Sequence, residues 1–287
     1  MSTNPIEDDM FAEAWQAFND EVPSDSAAVD YLYDSLVIYN KIECTCRQPQ
    51  IIHMTGERFY SCRNCKKVSW VTSGTLFTGV VKLRAWLALV WLKERGITIS
   101  AMRFSRLLEI AQSTALNIQK RIGMVLQENI DDSSFAIPAQ VLASIIIKRS
   151  KETPAQAHPR AELASDNNSD HPFSSLSEQM NSTSQETDLS SVIADFLSNK
   201  SPQHAGFISC ESIVRAIGAA IAHIRTYFQG VSAKCLQLYL ASFWCQLDRM
   251  RWANGAILLA CIEHAPISYQ EMFSFVSPPL VKIFCTT

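Results

Sequence analysis

Hydrophobic residues recur at three- and four-residue steps through most of the first 130 positions and again beyond position 206, which predicts a mainly α protein. Within residues 1–40, the spacing of Phe11, Trp15 and Phe18 favours the first of two short amphipathic helices. Residues 41–78 interrupt the helical pattern with paired cysteines and β-prone residues. The pattern therefore predicts a small β structure inside an otherwise helical chain.

A helix–turn–helix domain is predicted over residues 79–149. A helix rich in Leu and Trp ends at Gly96, and Ser100 is a suitable N-cap for the next helix. Ser113 is a suitable N-cap for a further helix, after a short turn at residues 110–112. Two helices joined in this way have the lengths of a DNA-binding pair, although an ordinary helical hairpin with a hydrated polar face has the same pattern.

The remainder of the chain divides into a linker and a C-terminal part. Residues 150–205 are dominated by Ser, Asn, Asp, Gln, Glu and Pro, a composition that predicts a mostly disordered linker. Residues 206–287 return to helical periodicity and are predicted to be a C-terminal helical region. Ser232 is a candidate N-cap there, and Ser268 with Glu271 matches a capping box.

The composition excludes several classes of protein. Of the 287 residues, 47% are hydrophobic and 18% are charged, which is enough apolar material for a buried core. We expect no membrane-spanning helix, because no run reaches about 18 uncharged apolar residues. The first 20 residues hold five acids and no Lys or Arg, unlike a signal or transit peptide. We therefore expect a cytoplasmic protein, in which cysteines bind metal more often than they form disulfides.

Charge is distributed unevenly along the chain. Residues 1–40 hold nine acids and no Lys or Arg, whereas residues 41–121 hold 14 basic and four acidic residues, a net charge of +10. A basic block of this size predicts a phosphate-binding surface, and clustered bases are typical of proteins that bind nucleic acid. The alternative is a solvated surface whose counter-charge lies on the N-terminal segment.

Four cysteines form a predicted metal site within residues 41–78. Cys44 and Cys46 precede Cys62 and Cys65 by 15 intervening residues, and four thiolates satisfy the tetrahedral shell of a structural Zn²⁺ ion. The segment is too small to fold on core burial alone, and zinc would contribute on the order of ten kcal/mol. The first pair is one residue shorter than the usual Cys-x2-Cys knuckle, which strains its loop or weakens one ligand.

Two alternatives remain open at this site. His53 is a conceivable substitute ligand for the first pair. The second alternative is that the four cysteines are reduced, buried residues of a site that has lost its metal. The other cysteines lie in apolar helical sequence and are expected to be core residues: Cys210, Cys235, Cys245, Cys261 and Cys285.

The predicted second helix of the pair carries candidate DNA-reading side chains. Thr114, Asn117 and Arg121 follow each other at three- and four-residue steps, and Asn and Arg make bidentate contacts to adenine and guanine. Other basic residues are expected nearer the phosphates, where they add affinity without reading sequence. These residues are Lys82, Arg84, Arg103, Arg106 and Lys120.

These motifs together resemble a known family. The knuckle Cys62–Cys65, the following stretch Ser69–Phe77 and the helical pair resemble the N-terminal half of bacterial insertion-sequence transposases of the DDE type, which begin with a zinc ribbon. The most specific part is Thr72-Ser-Gly-Thr-Leu-Phe77. The acidic start and the stretch Gln229–Phe243 are similar to the family's first segment and closing helix.

The resemblance implies an RNase H-like catalytic domain in the middle, with acidic residues that hold two metal ions. Here Gln140–Ile147 is the expected remnant of its first strand, Ser144 stands near the first Asp position, and the third position falls near Ile208. The acids of the linker, such as Asp166, have no sheet to hold them. We therefore assign no catalytic residue and no strand-transfer activity.

The expected function is that of a transposase-derived protein that binds double-stranded DNA and regulates transcription. We expect it to be associated with the nucleoid, to take no small-molecule substrate, and plausibly to form a homo-oligomer. Three alternatives remain: a transposase that still acts or borrows a partner's catalytic domain, a decayed gene product, and a zinc ribbon that binds protein.

Overall fold

The computed structural model of the chain describes residues 5–42, 44, 46, 49–130, 134–152, 210–228 and 232–284. Residues 150–152 of the predicted linker belong to helix α6, whereas its remaining residues 153–205 and the position of Ile208 lie outside the described part. The helices are α1 (Pro5–Glu21), α2 (Asp25–Ile38), α3 (Leu83–Glu94), α4 (Ala101–Leu107), α5 (Gln112–Glu128), α6 (Ala139–Glu152), α7 (Cys210–Tyr227), α8 (Leu236–Leu247), α9 (Arg249–Trp252), α10 (Ala256–Glu263) and α11 (Tyr269–Ser274). The strands are β1 (Ile51–His53), β2 (Phe59–Cys62), β3 (Val68–Trp70), β4 (Ser134–Pro138) and β5 (Leu280–Phe284).

The mainly helical prediction is confirmed, including the two helices of the acidic start. Helix α3 lies at the centre of the first hydrophobic core, because it is apolar on nearly every face and therefore needs cover all round. Helices α1 and α2 cover one side, where Phe18 is fully buried and meets Trp91 at a ring distance of 5.8 Å. The C-terminal helix α10 covers another side. This core therefore joins both ends of the chain.

Helix α8 links the first core to a second one. Its residues Trp244 and Cys245 lie in the first core, whereas Leu240 and Phe243 lie in the second. It crosses α5 closely at Gly123, where an added Cβ would stand 3.2 Å from the Cβ of Leu238. The second core also contains α6, α7 and an antiparallel pair formed by β4 and β5.

The second core corrects two predictions. Gln140–Ile147, expected to be a strand, lies within helix α6, and Leu142 and Ile146 are buried one helical turn apart on its inner face. Pro138 ends β4 immediately before this helix. The predicted C-terminal helical region ends in strand β5, which pairs with β4 over five residues. Both strands gain their partner only through a contact between distant parts of the chain.

Helix ends follow the predicted capping residues with one exception. Ser100 caps α4, Ser232 caps the 3-10 turn Ala233–Cys235 before α8, and Ser268 forms the complete capping box with Glu271. Ser113 as an N-cap is wrong, because α5 begins one residue earlier at Gln112 with Ala111 in the cap position. None of the helices in the described ranges is long and apolar enough to cross a membrane.

A lysine is enclosed between α3 and α8. The Nζ of Lys93 donates a 2.6 Å hydrogen bond to the Oγ of Ser242, and burial lowers the pKa of this lysine. A depressed folded-state pKa means that the charged form destabilises the fold at every pH below the pKa of the unfolded chain. The substitution Lys93→Met is therefore expected to raise the free energy of unfolding at pH 7 by about 1 to 2 kcal/mol.

Chemical denaturation of both proteins at pH 7 measures this difference. Lys82→Met is the matched control, because Lys82 is exposed, and we expect it to change the stability little. A large loss of stability in Lys93→Met would contradict the interpretation of Lys93 as an uncompensated buried amine.

Candidate metal centre and nucleic-acid interface

The four predicted ligands come from the ribbon formed by β1, β2 and β3 and the loop before it. The strands form an antiparallel sheet in the order β1-β2-β3, with Cys62 at the end of β2. The turn to β3 folds back tightly, since the Cys62 N–H donates to the Lys67 carbonyl at 2.9 Å. Lys66 adopts the left-handed conformation there, with a φ of 61°. This turn brings Cys65 beside Cys62.

The sulfur atoms of Cys44, Cys46, Cys62 and Cys65 all lie within 4.8 Å of one another. The Sγ atoms of Cys44 and Cys46 are 3.3 Å apart, and Cys44 lies 3.4 Å from Cys65. Zn–S bonds in a tetrahedral site place neighbouring sulfurs about 3.8 Å apart. The donor set therefore fits a structural zinc ion, and both members of the short first pair reach it. Among the described residues, no other group of His, Cys, Asp and Glu has this arrangement.

Backbone groups prepare the site for metal. Hydrogen bonds from the backbone N–H groups of Cys65 and Gln50 lower the pKa of Cys62 to about 6. The Gln50 nitrogen lies 3.4 Å from this sulfur. N–H donors stabilise the thiolate, which is the form that binds metal. Arg63, Lys66 and Lys67 add positive charge around the turn.

His53 has a different role from the substitute ligand considered above. Its Nε2 lies 3.0 Å from Asp30 of α2, and its Nδ1 lies 3.2 Å from the Phe59 carbonyl. The ring stacks on Tyr33 at a centroid distance of 4.1 Å. The Asp30 carboxylate also accepts the N–H of Gly56 at 2.7 Å. These contacts fasten the ribbon to α2, so His53 lies outside the cysteine cluster.

The stretch Thr72–Phe77 attaches the ribbon to the helical core. The Thr75 hydroxyl donates to the Thr72 carbonyl at 2.7 Å and accepts the Phe77 N–H at 3.1 Å. Phe77 is fully buried, and the Leu76 N–H donates to the carbonyl of Cys261 in α10. The buried part of this motif therefore has a packing role, while Ser73 at its tip is exposed.

Helices α4 and α5 form the predicted pair, joined by a turn in which Glu109 has a φ of 52°. The first turn of α5 is exposed at Gln112 and Ser113. The predicted reading residues Thr114, Asn117 and Arg121, with Lys120, are half-buried. Among the predicted reading positions and the turn before them, the first turn of α5 is therefore the most accessible part.

Two of the predicted DNA-binding arginines have internal partners. The Nε of Arg84 donates to the Val22 carbonyl at 2.7 Å, and its Nη2 donates to Asn19. The guanidinium of Arg121 lies 5.8 Å from the Trp86 ring, and its buried Nε has no hydrogen-bond partner among the described residues. Arg84 is therefore a contact between α3 and α1, and Arg121 faces α3.

The remaining predicted phosphate contacts are more accessible. Arg103 is exposed, and it pairs with Asp8 at 3.4 Å, so part of the counter-charge does lie on the N-terminal segment. Lys82 and Arg106 are exposed, and their side chains have no hydrogen bond or ion pair within the described part of the chain. These two residues are the most available cations of the predicted set.

A cleft of about 770 Å³ lies between α2, α3 and the loop before α10. Glu94 extends from α3 and accepts the Leu258 N–H at 2.9 Å, while burial raises the pKa of this carboxyl to about 7. Arg95 covers the Trp91 ring at 3.5 Å. The Glu94 hydrogen bond holds α10 against α3, and the Tyr39 hydroxyl at the end of α2 donates to the Gly255 carbonyl at 3.1 Å. The cleft is therefore a joint within the fold.

Comparison with protein-family models, with curated proteins and with solved structures finds no match to this chain. The function is therefore inferred from the four-cysteine centre, the distribution of charge and the exposed side chains. Reasoning from the sequence missed one of these features, an apolar face on the outer side of the ribbon. The sequence Phe59-Tyr60-Ser61-Cys62 has no alternation of polar and apolar residues that predicts this face, and the side that is exposed becomes known only from the structure.

Proposed function

We propose that this protein binds double-stranded DNA through a zinc ribbon and the α4–α5 helix pair, and that it does so without strand-transfer chemistry. The observation that carries the proposal is the four-cysteine centre, which lies within the same block of net charge +10 as the helix pair. A protein that occupies DNA without cutting it can act as a transcriptional regulator. The resemblance to transposases supports descent of this protein from that family.

The accessible groups favour binding by the N-terminal end of α5. Gln112 and Ser113 are exposed in its first turn, and Asn117 follows on a half-exposed position. Amide and hydroxyl side chains at the start of a recognition helix contact base edges in the major groove. Lys82 and Arg106 would contact phosphates and supply most of the salt-dependent affinity.

The described residues also favour a non-catalytic role. Ser144, which stands near the first expected Asp position, lies in helix α6, where its hydroxyl donates to the Val141 carbonyl at 2.8 Å. In the described part of the chain, strand β4, which directly precedes α6, belongs to a sheet of only two strands. Two-metal catalysis requires carboxylates fixed side by side. A metal-dependent nicking assay on supercoiled plasmid tests this directly, and cleavage would contradict the proposal.

Titration of fluorescent duplex DNA with the zinc-loaded full chain tests binding. The full chain is needed because α8 and α10 complete the first core. We expect affinity to fall steeply with salt, and each of Lys82→Ala and Arg106→Ala to reduce the salt slope by about 1. Lys282→Ala is the control, since Lys282 is an exposed residue of β5, a strand that packs on the second core rather than on the ribbon or the helix pair.

A salt-insensitive complex with a protein and no affinity for duplex DNA at low salt would contradict the proposal. That result would favour the zinc ribbon as a protein-interaction module. Absence of both zinc and DNA binding would favour a decayed gene product.

A further inference from the structure

The outer face of the ribbon carries exposed apolar side chains. Phe59 and Trp70 are directly opposite each other in the β2–β3 register, and Ser61 is opposite Val68. Opposite residues in an antiparallel pair project to the same side of the sheet. Trp70 is 60% exposed and Val68 is 58% exposed. Neighbouring exposed apolar side chains that form one patch mark binding sites more often than single exposed apolar residues do.

A groove of about 360 Å³ lies beside Trp70. Its walls combine the indole and Val81 with the polar residues Arg58, Ser73 and Thr78. Volumes near 300 Å³ are at the small end for ligand pockets, so the groove suits one planar ring system better than a length of peptide. Thr72 and Ser73 of the Thr72–Phe77 motif border this groove, a feature that the packing role of the motif leaves unexplained.

Positive charge lies at both ends of the exposed face. At the groove, Arg58 donates to the carbonyl of Val81 at 2.9 Å and to that of Val80 at 3.3 Å, which fixes its guanidinium at the rim with further N–H groups to offer. Lys82 follows next in the chain and is exposed.

At the opposite end, Lys66 and Lys67 lie in the turn between β2 and β3. Strands of this length separate the two basic ends by roughly 10 Å. Glu57, beside Arg58, is the acidic residue of the loop before β2. The face as a whole therefore presents aromatic surface between cations.

We propose that this face, Phe59 and Trp70 with the adjoining groove, binds an unstacked nucleotide of a DNA strand. A base stacks on the indole of Trp70 and enters the groove, while Arg58 and Lys82 contact the flanking phosphates. Aromatic platforms between basic residues are the common means of binding single-stranded nucleic acid. The charge favours this occupant over an apolar protein segment. The inference rests on the proposed DNA-binding function and adds a contact that α5 does not provide.

The test compares a short oligothymidine with a blunt duplex of equal length, each titrated with the zinc-loaded full chain. Trp70→Ala is expected to weaken single-strand binding by about 5- to 100-fold, the range for loss of one stacked base. Trp70→Phe keeps a ring and retains most of the affinity. Duplex affinity changes less than twofold in both variants.

Tyr269→Ala is the matched control, because Tyr269 is 62% exposed and lies on α11. We expect it to leave both affinities unchanged. Zinc content and thermal melting of each variant verify that the ribbon is folded. A strand that carries 2-aminopurine adds a second readout, since stacking on Trp70 changes its fluorescence and Trp70→Ala abolishes the change.

Single-strand affinity that Trp70→Ala leaves intact would overturn this inference while duplex binding still upheld the proposed function. Failure of the wild-type chain to bind either form of DNA would overturn both. Loss of a protein partner in Trp70→Ala, with no effect on the oligothymidine, would assign the face to protein binding instead.

Discussion

Removal of the metal, or the substitution Cys62→Ser, is expected to unfold the ribbon and to produce the largest loss of stability in the molecule. Each strand of the sheet β1-β2-β3 is only three or four residues long, and Tyr60 is the main residue that the strands contribute to the first core. Metal binding supplies on the order of ten kcal/mol to domains of this kind. We therefore expect an apparent loss of several kcal/mol, part of it compensated by the helical core that remains.

The experiment combines metal analysis, thermal melting and limited proteolysis of the full chain. The purified protein should contain one zinc per chain, and Cys62→Ser should contain none. After treatment with a chelator, trypsin should cleave rapidly in the turn that holds Lys66 and Lys67, because the backbone hydrogen bonds of the knuckle are lost.

Cys235→Ala is the control for this prediction. Cys235 is buried in the second core, away from the cluster, so its loss should leave the zinc content at one per chain. A chain that melts at the same temperature with and without its metal would contradict the structural role. It would instead favour a cluster of reduced cysteines that has lost its metal.

Parts of the fold were accessible from the sequence because they depend on local signals. The periodicity of Phe11, Trp15 and Phe18 predicted α1, and the cysteine spacing predicted the cluster without knowledge of the fold. The capping box at Ser268 and Glu271 is equally local, since both hydrogen bonds form within one helical turn.

The errors arose where a distant partner decides the structure. A short run of Val, Leu and Ile such as Gln140–Ile147 fits a buried strand or a buried helix equally well. The segment that pairs with strand Leu280–Phe284 is instead the preceding strand, Ser134–Pro138. The same limit applies to single side chains. The partners of Arg84 are Asn19 of α1 and the Val22 carbonyl just after it, and the Asp30 that holds His53 is 23 residues away, so neither contact follows from local sequence.

A different kind of distant contact gives the second large effect, an acid sensitivity caused by His223 of α7. This histidine is 5% exposed, and neither ring nitrogen has a hydrogen-bond partner among the described residues. Tyr227, Phe228 and Phe243 surround the ring at centroid distances of 5.0 to 5.9 Å. Burial first, and then the charge of Lys93, lower the pKa of His223 to about 3. The Gln246 side chain lies near enough to oppose this shift in part, although it does not reach hydrogen-bond geometry with either ring nitrogen.

The direction of the effect follows from the order of the two pKa values. The unfolded chain takes up a proton at His223 below about pH 6.5, but the folded chain does so only near pH 3, so acid favours the unfolded state. The contribution of His223 to stability is therefore retained above about pH 6.5 and is lost at about 1.4 kcal/mol per pH unit below it. Glu94, whose pKa is raised to about 7, acts in the opposite direction over the same range, so the effect of His223 is measured as a difference from a variant. By pH 5 the cost is about 2 kcal/mol, and near pH 3 it approaches 5 kcal/mol.

His223→Leu should remove this cost, because an apolar side chain of similar size has no proton to bind. The free energy of unfolding of wild type and variant is measured by denaturation at several pH values between 7.5 and 5, and the difference between the two proteins is taken at each pH. Because both proteins keep the ribbon, the effect of zinc release cancels in this difference. Met250→Ala is the control, because Met250 is 95% exposed and has no group that binds a proton, so its pH profile should run parallel to wild type. If His223→Leu also ran parallel to wild type, the ring would have to be protonated as readily inside the fold as outside it. Any loss of stability of the wild-type protein at low pH would then have to come from a group other than His223 of the second core.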